Sequence, residues 1–333
     1  MHGQRAGTGE GGTAEGGTGE GRTGEGGTAE GRTGEGRTGE GRTGEGRTGE
    51  GEAVLAEALA AYRAAIGPRL LAAYALGSLA HGGFSPLVSD VDLGLVLRDP
   101  VKPADRWTMH TVARGVRAGG TALHERLSVF WGTPATLSGR ADGGRFPPLD
   151  RLDLLEHGRL LAGRDARDGL PRPGQEELLV AGARFALGSL GGRGTLRHRV
   201  IDLARHGRQR DDAVTEIRDP ALLVARGPRR LTKVVLFPVR FLFTAATGRV
   251  GTNAAAAEHY LAAGRAPAAE LVAAAMTWRL RPAAGERAAI ALLRRELIPL
   301  YVQYLDDHIA RLHAAGQHSL AGGFRRWRGR VLA

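Results

Sequence analysis

The stretch GSLAHGGFSPLVSDVDL, Gly77 to Leu93, decides the fold. It joins two apolar runs, Leu70–Leu76 and Val91–Leu97, that have the length and composition of buried strands. A glycine-serine pair ends the first run, and two aspartates, Asp90 and Asp92, begin the second. Side chains alternate along a strand, so the one-residue spacing predicts that both carboxylates face the same side.

The same stretch offers ligands for a metal ion and for a phosphate group. Two carboxylates a few ångström apart repel each other unless a cation lies between them. Oxygen ligands beside a glycine-rich turn favour Mg²⁺, which also binds substrate phosphates. The backbone of Gly77 and the hydroxyl of Ser78, at the start of a short predicted helix, are expected to hold such a phosphate.

This pattern resembles the signature of the DNA polymerase β-like nucleotidyltransferase superfamily, which is Gly-Ser, about a dozen residues, then Asp-x-Asp. The matching residues are Gly77, Ser78, Ser89, Asp90, Asp92 and Leu93. The resemblance implies nucleotide contacts from Gly77, Ser78 and Ser89. It also implies a two-metal Mg²⁺ site that includes Asp90 and Asp92, with ATP or another nucleoside triphosphate as co-substrate.

The resemblance also implies a third carboxylate on a neighbouring strand. The candidate is Glu125, which would share a strand face with Leu127, Val129 and Trp131. Its role stays open between a third metal ligand and the general base that deprotonates an acceptor hydroxyl.

Outward from this stretch, the first half of the chain alternates strands and helices. Further strands are predicted at Leu127–Trp131 and Arg159–Ala162, and a helix at 103–118, which indicates an α/β (α+β) unit with a short mixed sheet. The second half has helical periodicity. Helices are predicted at 176–190, 195–206, 229–246, 252–263, 267–280 and 284–315, the last kinked or broken at Pro299.

The predicted organisation has three parts. Residues 1–51 are a Gly/Arg/Thr/Glu repeat with almost nothing apolar to bury, so we expect a disordered tail. Residues 52–174 are the expected nucleotidyltransferase domain. Residues 175–333, after a proline-rich linker, are expected to form an all-α helical bundle that covers the nucleotide and substrate.

A segment of the second half is similar to the streptomycin/spectinomycin adenylyltransferases. The matching residues are Arg240, Thr247, Gly248, Ala254 to Ala257 and Tyr260. That family often has a phosphate-binding lysine in the loop after Thr-Gly, where this chain has Asn253. Arg249 is the candidate to replace the lysine.

Composition bounds the possible functions. The chain has no cysteine, which excludes disulfides, thiolate metal sites and a cysteine nucleophile. No apolar run has the length of a membrane span, so we expect a cytoplasmic protein without a membrane partner.

Residues 175–333 hold 25 basic and 13 acidic side chains, a charge that favours an anionic partner over a polycation. The segment FRRWRGR, Phe324 to Arg330, mixes aromatic and basic residues as nucleic-acid-binding segments do.

The function predicted from these patterns is an Mg²⁺-dependent nucleotidyltransferase. It would move a nucleoside monophosphate, AMP from ATP, onto a hydroxyl of a small molecule. The resemblance implies an aminoglycoside-like antibiotic as one acceptor and antibiotic resistance as one role. A protein or RNA acceptor, and a catalytically silent nucleotide- or nucleic-acid-binding protein, stay open as alternatives.

Overall fold

Four strands form one mixed sheet in the part of the chain that the structure describes. They are β1 (Leu70–Leu76), β2 (Val91–Leu97), β3 (Leu127–Gly132) and β4 (Arg159–Gly163), in the spatial order β3-β2-β1-β4. β1 pairs antiparallel with β2 and with β4, whereas β2 and β3 are parallel. The predicted short mixed sheet is confirmed, and each predicted strand lies within one residue of its observed bounds.

The structure is a computed structural model that describes residues 39–191, 213–264, 266–283 and 285–333. Its first helix, α1, spans Gly39–Ile66 and so overlaps the last residues of the predicted tail, whose disorder stays a prediction. Val54 and Leu55 of α1 are buried in one core with residues of the sheet, which anchors this helix. Extending an anchored helix costs less conformational entropy per hydrogen bond than starting a new one. The rest of the repeat lies outside the described residues.

Helices cover both faces of the sheet. The short and medium helices of this half are α2 (Gly77–His81), α3 (Pro103–Arg117), α4 (Ala122–Glu125), α5 (Pro134–Leu137) and α6 (Pro148–His157). On one face, Ala73 and Ala75 pack in a core with side chains of α1 and α3. On the other face, Tyr74 and Leu76 pack with Leu154 of α6. The face of β1 that carries Leu76 therefore looks toward α6.

The second half of the chain is helical, as predicted. Its described helices are α7 (Gln175–Ser189), α8 (Ala213–Arg218), α9 (Pro220–Ala225), α10 (Pro228–Thr247), α11 (Asn253–Ala262), α12 (Ala269–Trp278), α13 (Glu286–Ala314) and α14 (His318–Leu332). The helix predicted at 195–206 lies outside the described residues. α13 continues through Pro299 without a break. The proline removes one backbone hydrogen bond, and the burial of Leu297 and Leu300 on either side offsets that loss.

The aromatic residues of the basic C-terminal segment belong to the helical core. Phe324 and Trp327 have no exposed surface and lie edge-on to Tyr304 of α13. These two rings therefore cannot stack on bases, so the expected aromatic contribution of FRRWRGR to nucleic-acid binding is wrong. Helical periodicity places the two aromatics on the buried face of α14, whereas Arg325 and Arg326 are exposed.

Residues Gly41–Ala333 form one compact unit, in which the sheet and the helices pack on one another. The boundary predicted between residues 174 and 175 stays a prediction. Within the described ranges, no helix combines the length and the apolar character needed to cross a bilayer.

Candidate active site

A cleft lies between the first turn after β1, the start of β2, one face of α10 and the end of α12. We call it the cleft, and it is lined by Gly77, Ser78, His81, Val88, Ser89, Asp90, Asp92, Arg229, Thr232, Lys233, Leu236, Phe237, Arg240, Thr252, Asn253 and Arg279. Five of the residues singled out from the sequence are therefore brought together: Gly77, Ser78, Ser89, Asp90 and Asp92. The other two, Glu125 and Arg249, do not line it.

Asp92 lies within β2, the second residue of the strand. It lies opposite Leu76 in the antiparallel β1–β2 register, on the sheet face that looks toward α6. Burial raises the pKa of its carboxyl well above the usual range, and the neighbouring Asp90 carboxylate adds to the rise. A carboxylate in this position is stabilised by a cation.

Asp90 is held by two cations of α10. Its Oδ1 accepts from Nη2 of Arg229 at 2.5 Å, and its Oδ2 lies 3.6 Å from Nζ of Lys233. Burial lowers the pKa of Lys233, and the Asp90 charge opposes that effect. These pairs join the start of β2 to the helical half of the chain.

One face of α10 supplies the basic side of the cleft. Arg229, Lys233 and Arg240 recur at spacings of four and seven, so a single helical stripe carries all three. Burial lowers the pKa of Arg240, and the charge that opposes this effect most strongly is that of Asp153. Sequence reasoning used Arg240 only as a family match and missed the other two, although the helical spacing would have grouped them.

Arg279, at the end of α12, fastens the glycine-rich loop to the helical half. Its Nη2 donates to the carbonyl of Gly83 at 2.7 Å, and the Ser85 hydroxyl donates to the Arg279 carbonyl at 2.5 Å. Ser85 N–H in turn donates to the Ser89 hydroxyl at 3.0 Å. The loop that leads to Asp90 is therefore fixed by contacts from about 190 residues further along the chain.

Two acids of α6, Asp150 and Asp153, lie close enough to Asp92 for their charges to raise its pKa. The carboxylate of Asp153 accepts from the Gly77 N–H at 2.6 Å, and its Oδ1 is buried without a hydrogen-bond partner. The Gly77 amide is therefore already used, and the expected phosphate contact from it is not available in this arrangement. Burial, followed by the Asp153 charge, raises the pKa of Asp150 to about 7.

Glu125 does not lie on a strand face as predicted. It is the last residue of α4, it is exposed, and β3 begins only at Leu127. The parallel β2–β3 register places Ser128, a hydroxyl, beside Asp92. The place on the neighbouring strand that a third carboxylate would fill is thus held by serine. The sequence predicted a strand position for Glu125 because it is two residues before Leu127, in phase with the alternation of Leu127, Val129 and Trp131.

Arg249 follows the C-terminus of α10 and is exposed, outside the cleft. Its backbone N–H donates to the Thr247 hydroxyl at 3.2 Å. The residues of this turn that do line the cleft are Thr252 and Asn253. Basic contacts from the helical half come from α10 itself, whereas the sequence analysis expected them from the loop that follows this helix.

The donor set fits one Mg²⁺ ion better than two. Asp90 and Asp92 are two carboxylates on one side of the cleft, and Mg²⁺ commonly uses one or two carboxylates plus water and substrate phosphates. No group of three or more His, Cys, Asp or Glu side chains suited to a metal occurs among the described residues. The expected two-metal site with a third carboxylate is therefore not supported by this arrangement.

Comparison with known proteins adds little to the geometry. No protein-family model matches the chain, and the comparison with curated proteins gave no match. Among solved structures, the chain is similar to the crystal structure of spectinomycin adenyltransferase AAD(9) from Enterococcus faecialis with ATP and spectinomycin. The TM-score is 0.46 at 13% sequence identity, over 74% of this chain and 98% of that chain. At that level of similarity, an assignment of function has to rest on the cleft itself.

Proposed function

We propose that this protein is a nucleotidyltransferase that transfers a nucleoside monophosphate, AMP from ATP, to a hydroxyl group of a small molecule. The observation that carries the proposal is the division of charge in the cleft. Asp90 and Asp92 lie on its sheet side, and Arg229, Lys233 and Arg240 lie on its helical side. A magnesium triphosphate has the matching pattern, since the metal needs carboxylates and the phosphates need cations.

Each residue then has a stated task. Asp90 and Asp92 would hold Mg²⁺, which neutralises charge on the phosphates when it is bound. The basic stripe of α10 binds phosphate oxygens, and the Ser78 hydroxyl donates to one of them. The Asp153 contact to Gly77 and the Arg279 contact to Gly83 fix the loop that carries Ser78 and Asp90. Catalysis of this kind comes mainly from positioning and electrostatic stabilisation.

The reaction would proceed by in-line attack. The acceptor oxygen forms a bond to the α-phosphorus, the bond from that phosphorus to the bridging oxygen breaks, and pyrophosphate leaves with the electron pair. The acceptor loses one proton. A cleft between a sheet and a helical wall is a usual place for such a small-molecule site.

Pyrophosphate release from Mg²⁺-ATP, in the presence of a panel of hydroxylated compounds that includes spectinomycin and streptomycin, tests the proposal. We expect release with at least one acceptor, and a fall of about 10²-fold or more in Asp92→Asn. Asp142→Asn, an exposed acid outside the cleft, is the matched control and should retain the wild-type rate. Equal rates in the wild type and Asp92→Asn would contradict the proposal.

One observation favours a second candidate, a catalytically silent nucleotide-binding module. Ser128 stands beside Asp92 where a third carboxylate would complete the acidic set, and Asp90 is already neutralised by Arg229 and Lys233. ATP binding that is weakened by Lys233→Met, without pyrophosphate release for any acceptor in the panel, would establish this second candidate.

A further inference from the structure

The proposed reaction needs a group that accepts the proton of the attacking hydroxyl. Glu125, the residue predicted for that role, does not line the cleft. Glu125 is exposed on α4, and Ser128 occupies the neighbouring position on β3. Among the described residues that line the cleft, Asp90 is paired with cations. Asp92 lies in the carboxylate pair that would hold the metal. The lining group that remains with a nitrogen lone pair is the imidazole of His81.

On this basis we propose that His81 is the catalytic residue that accepts the proton from the acceptor hydroxyl. The inference rests on the proposed function and names a residue that carries it out. His81 is the last residue of α2, three positions after Ser78, and it lines the same cleft as Asp90 and Asp92. A base located there adjoins the loop that is expected to hold the phosphates.

The hydrogen bonding of the ring fixes which nitrogen is the base. Nδ1 of His81 lies 3.0 Å from the Gly82 carbonyl oxygen. A carbonyl oxygen can only accept, so Nδ1 carries the proton when the ring is neutral. The lone pair of the neutral ring is therefore on Nε2, which is the tautomer that a proton acceptor requires.

The surroundings of the ring support both of its protonation states. From α6, His157 packs edge-on at 5.4 Å between ring centroids, and the Asp153 carboxylate is the main opposing charge. From α10, Arg240 adds a positive charge. Burial lowers the pKa of His81, the charges of His157 and Arg240 lower it further, and Asp153 opposes them. The imidazole is thus neutral near pH 7, and Asp153 stabilises the imidazolium formed when it takes a proton.

The step balances without another reactant. As the acceptor oxygen bonds to the α-phosphorus, its proton moves to Nε2 of His81, and pyrophosphate leaves with the electrons of the broken bond. The imidazolium then returns its proton to solvent.

His81→Asn tests the inference in the full-length protein with Mg²⁺-ATP and an acceptor that supports pyrophosphate release. We expect kcat to fall by roughly 10²–10⁴-fold, the usual contribution of a general base, with less than about threefold change in KM for ATP. The wild-type pH–rate profile should lose activity on its acid side, at a pH lower than the roughly 6.5 at which an ordinary histidine gains its proton, because burial lowers the pKa of His81. That acid limb should be absent in His81→Asn.

Two matched controls separate catalysis from packing. His157→Asn removes the other ring of the pair, which does not line the cleft, and Glu125→Gln removes the exposed carboxylate. Both should retain kcat within about threefold. Added imidazole should restore part of the activity of His81→Ala, which a purely structural loss would not allow.

The outcomes separate this inference from the proposed function. A wild type that releases no pyrophosphate overturns both. An active wild type overturns the inference alone if His81→Asn keeps the acid limb, or if His157→Asn loses as much activity as His81→Asn.

Discussion

Replacement of Asp150 by asparagine should make the stability of the protein less sensitive to a rise in pH from about 4 to about 7. In the folded protein, burial and the Asp153 charge raise the pKa of Asp150 from 3.8 to about 7. Between these two values the folded chain keeps a proton that the unfolded chain releases. Stability from this group is therefore fully present below pH 3.8 and is lost as the pH rises toward 7.

The size of the effect follows from the width of that window. About three pH units at 1.36 kcal/mol per unit correspond to roughly 4 kcal/mol, which is an upper bound for the Asp150 contribution. Asparagine keeps the size of the side chain and cannot ionise. Between pH 4 and pH 7.5 the free energy of unfolding of the wild type should therefore decrease more than that of Asp150→Asn. The difference between the two decreases should be at most about 4 kcal/mol.

Urea-induced unfolding followed by circular dichroism at half-unit pH intervals measures this difference directly. Asp142→Asn, an exposed acid of the loop before α6, controls for the general effect of removing one charge. Parallel stability–pH curves for the wild type and Asp150→Asn would refute the reasoning, because they would show that Asp150 ionises normally in the folded protein.

Two further substitutions test the loop geometry and the helical core. Gly77→Ala should cost about 1–2 kcal/mol from its left-handed backbone and should also lower turnover, because a Cβ there would lie 2.4 Å from Oδ2 of Asp92. Gly316→Ala, with a similar φ, open space around the Cβ and a position outside the cleft, should show the stability loss alone, and equal turnover in the two variants would contradict this. Trp327→Ala should reduce the free energy of unfolding by about 3–5 kcal/mol in chemical denaturation. Trp107→Ala, at a tryptophan that is 71% exposed, should change it by less than about 0.5 kcal/mol, and a similar loss in both would show that Trp327 is not a core residue.

The sequence by itself determined the elements whose signals are local. The runs Leu70–Leu76 and Val91–Leu97 predict their strands, because a strand that is buried on both faces has a continuous apolar run of that length. The placement of Asp90 and Asp92 in one cleft follows from the two-residue period of a strand, which is independent of everything else in the fold. The helical character of the second half follows in the same way from its period of 3.6.

Only the tertiary structure decided which other groups meet those two carboxylates. Glu125 continues the alternation of β3, yet the chain is still in α4 at that point, because the parallel register with β2 begins at Leu127. Asp153 and Lys233 come from two separate helices, α6 and α10, whose approach depends on long-range packing. Periodicity indicates which side chains share a face. The partner of that face is set by contacts such as Gly77–Asp153 and Asp90–Arg229, which join residues 76 and 139 positions apart, and one sequence carries no local signal for them.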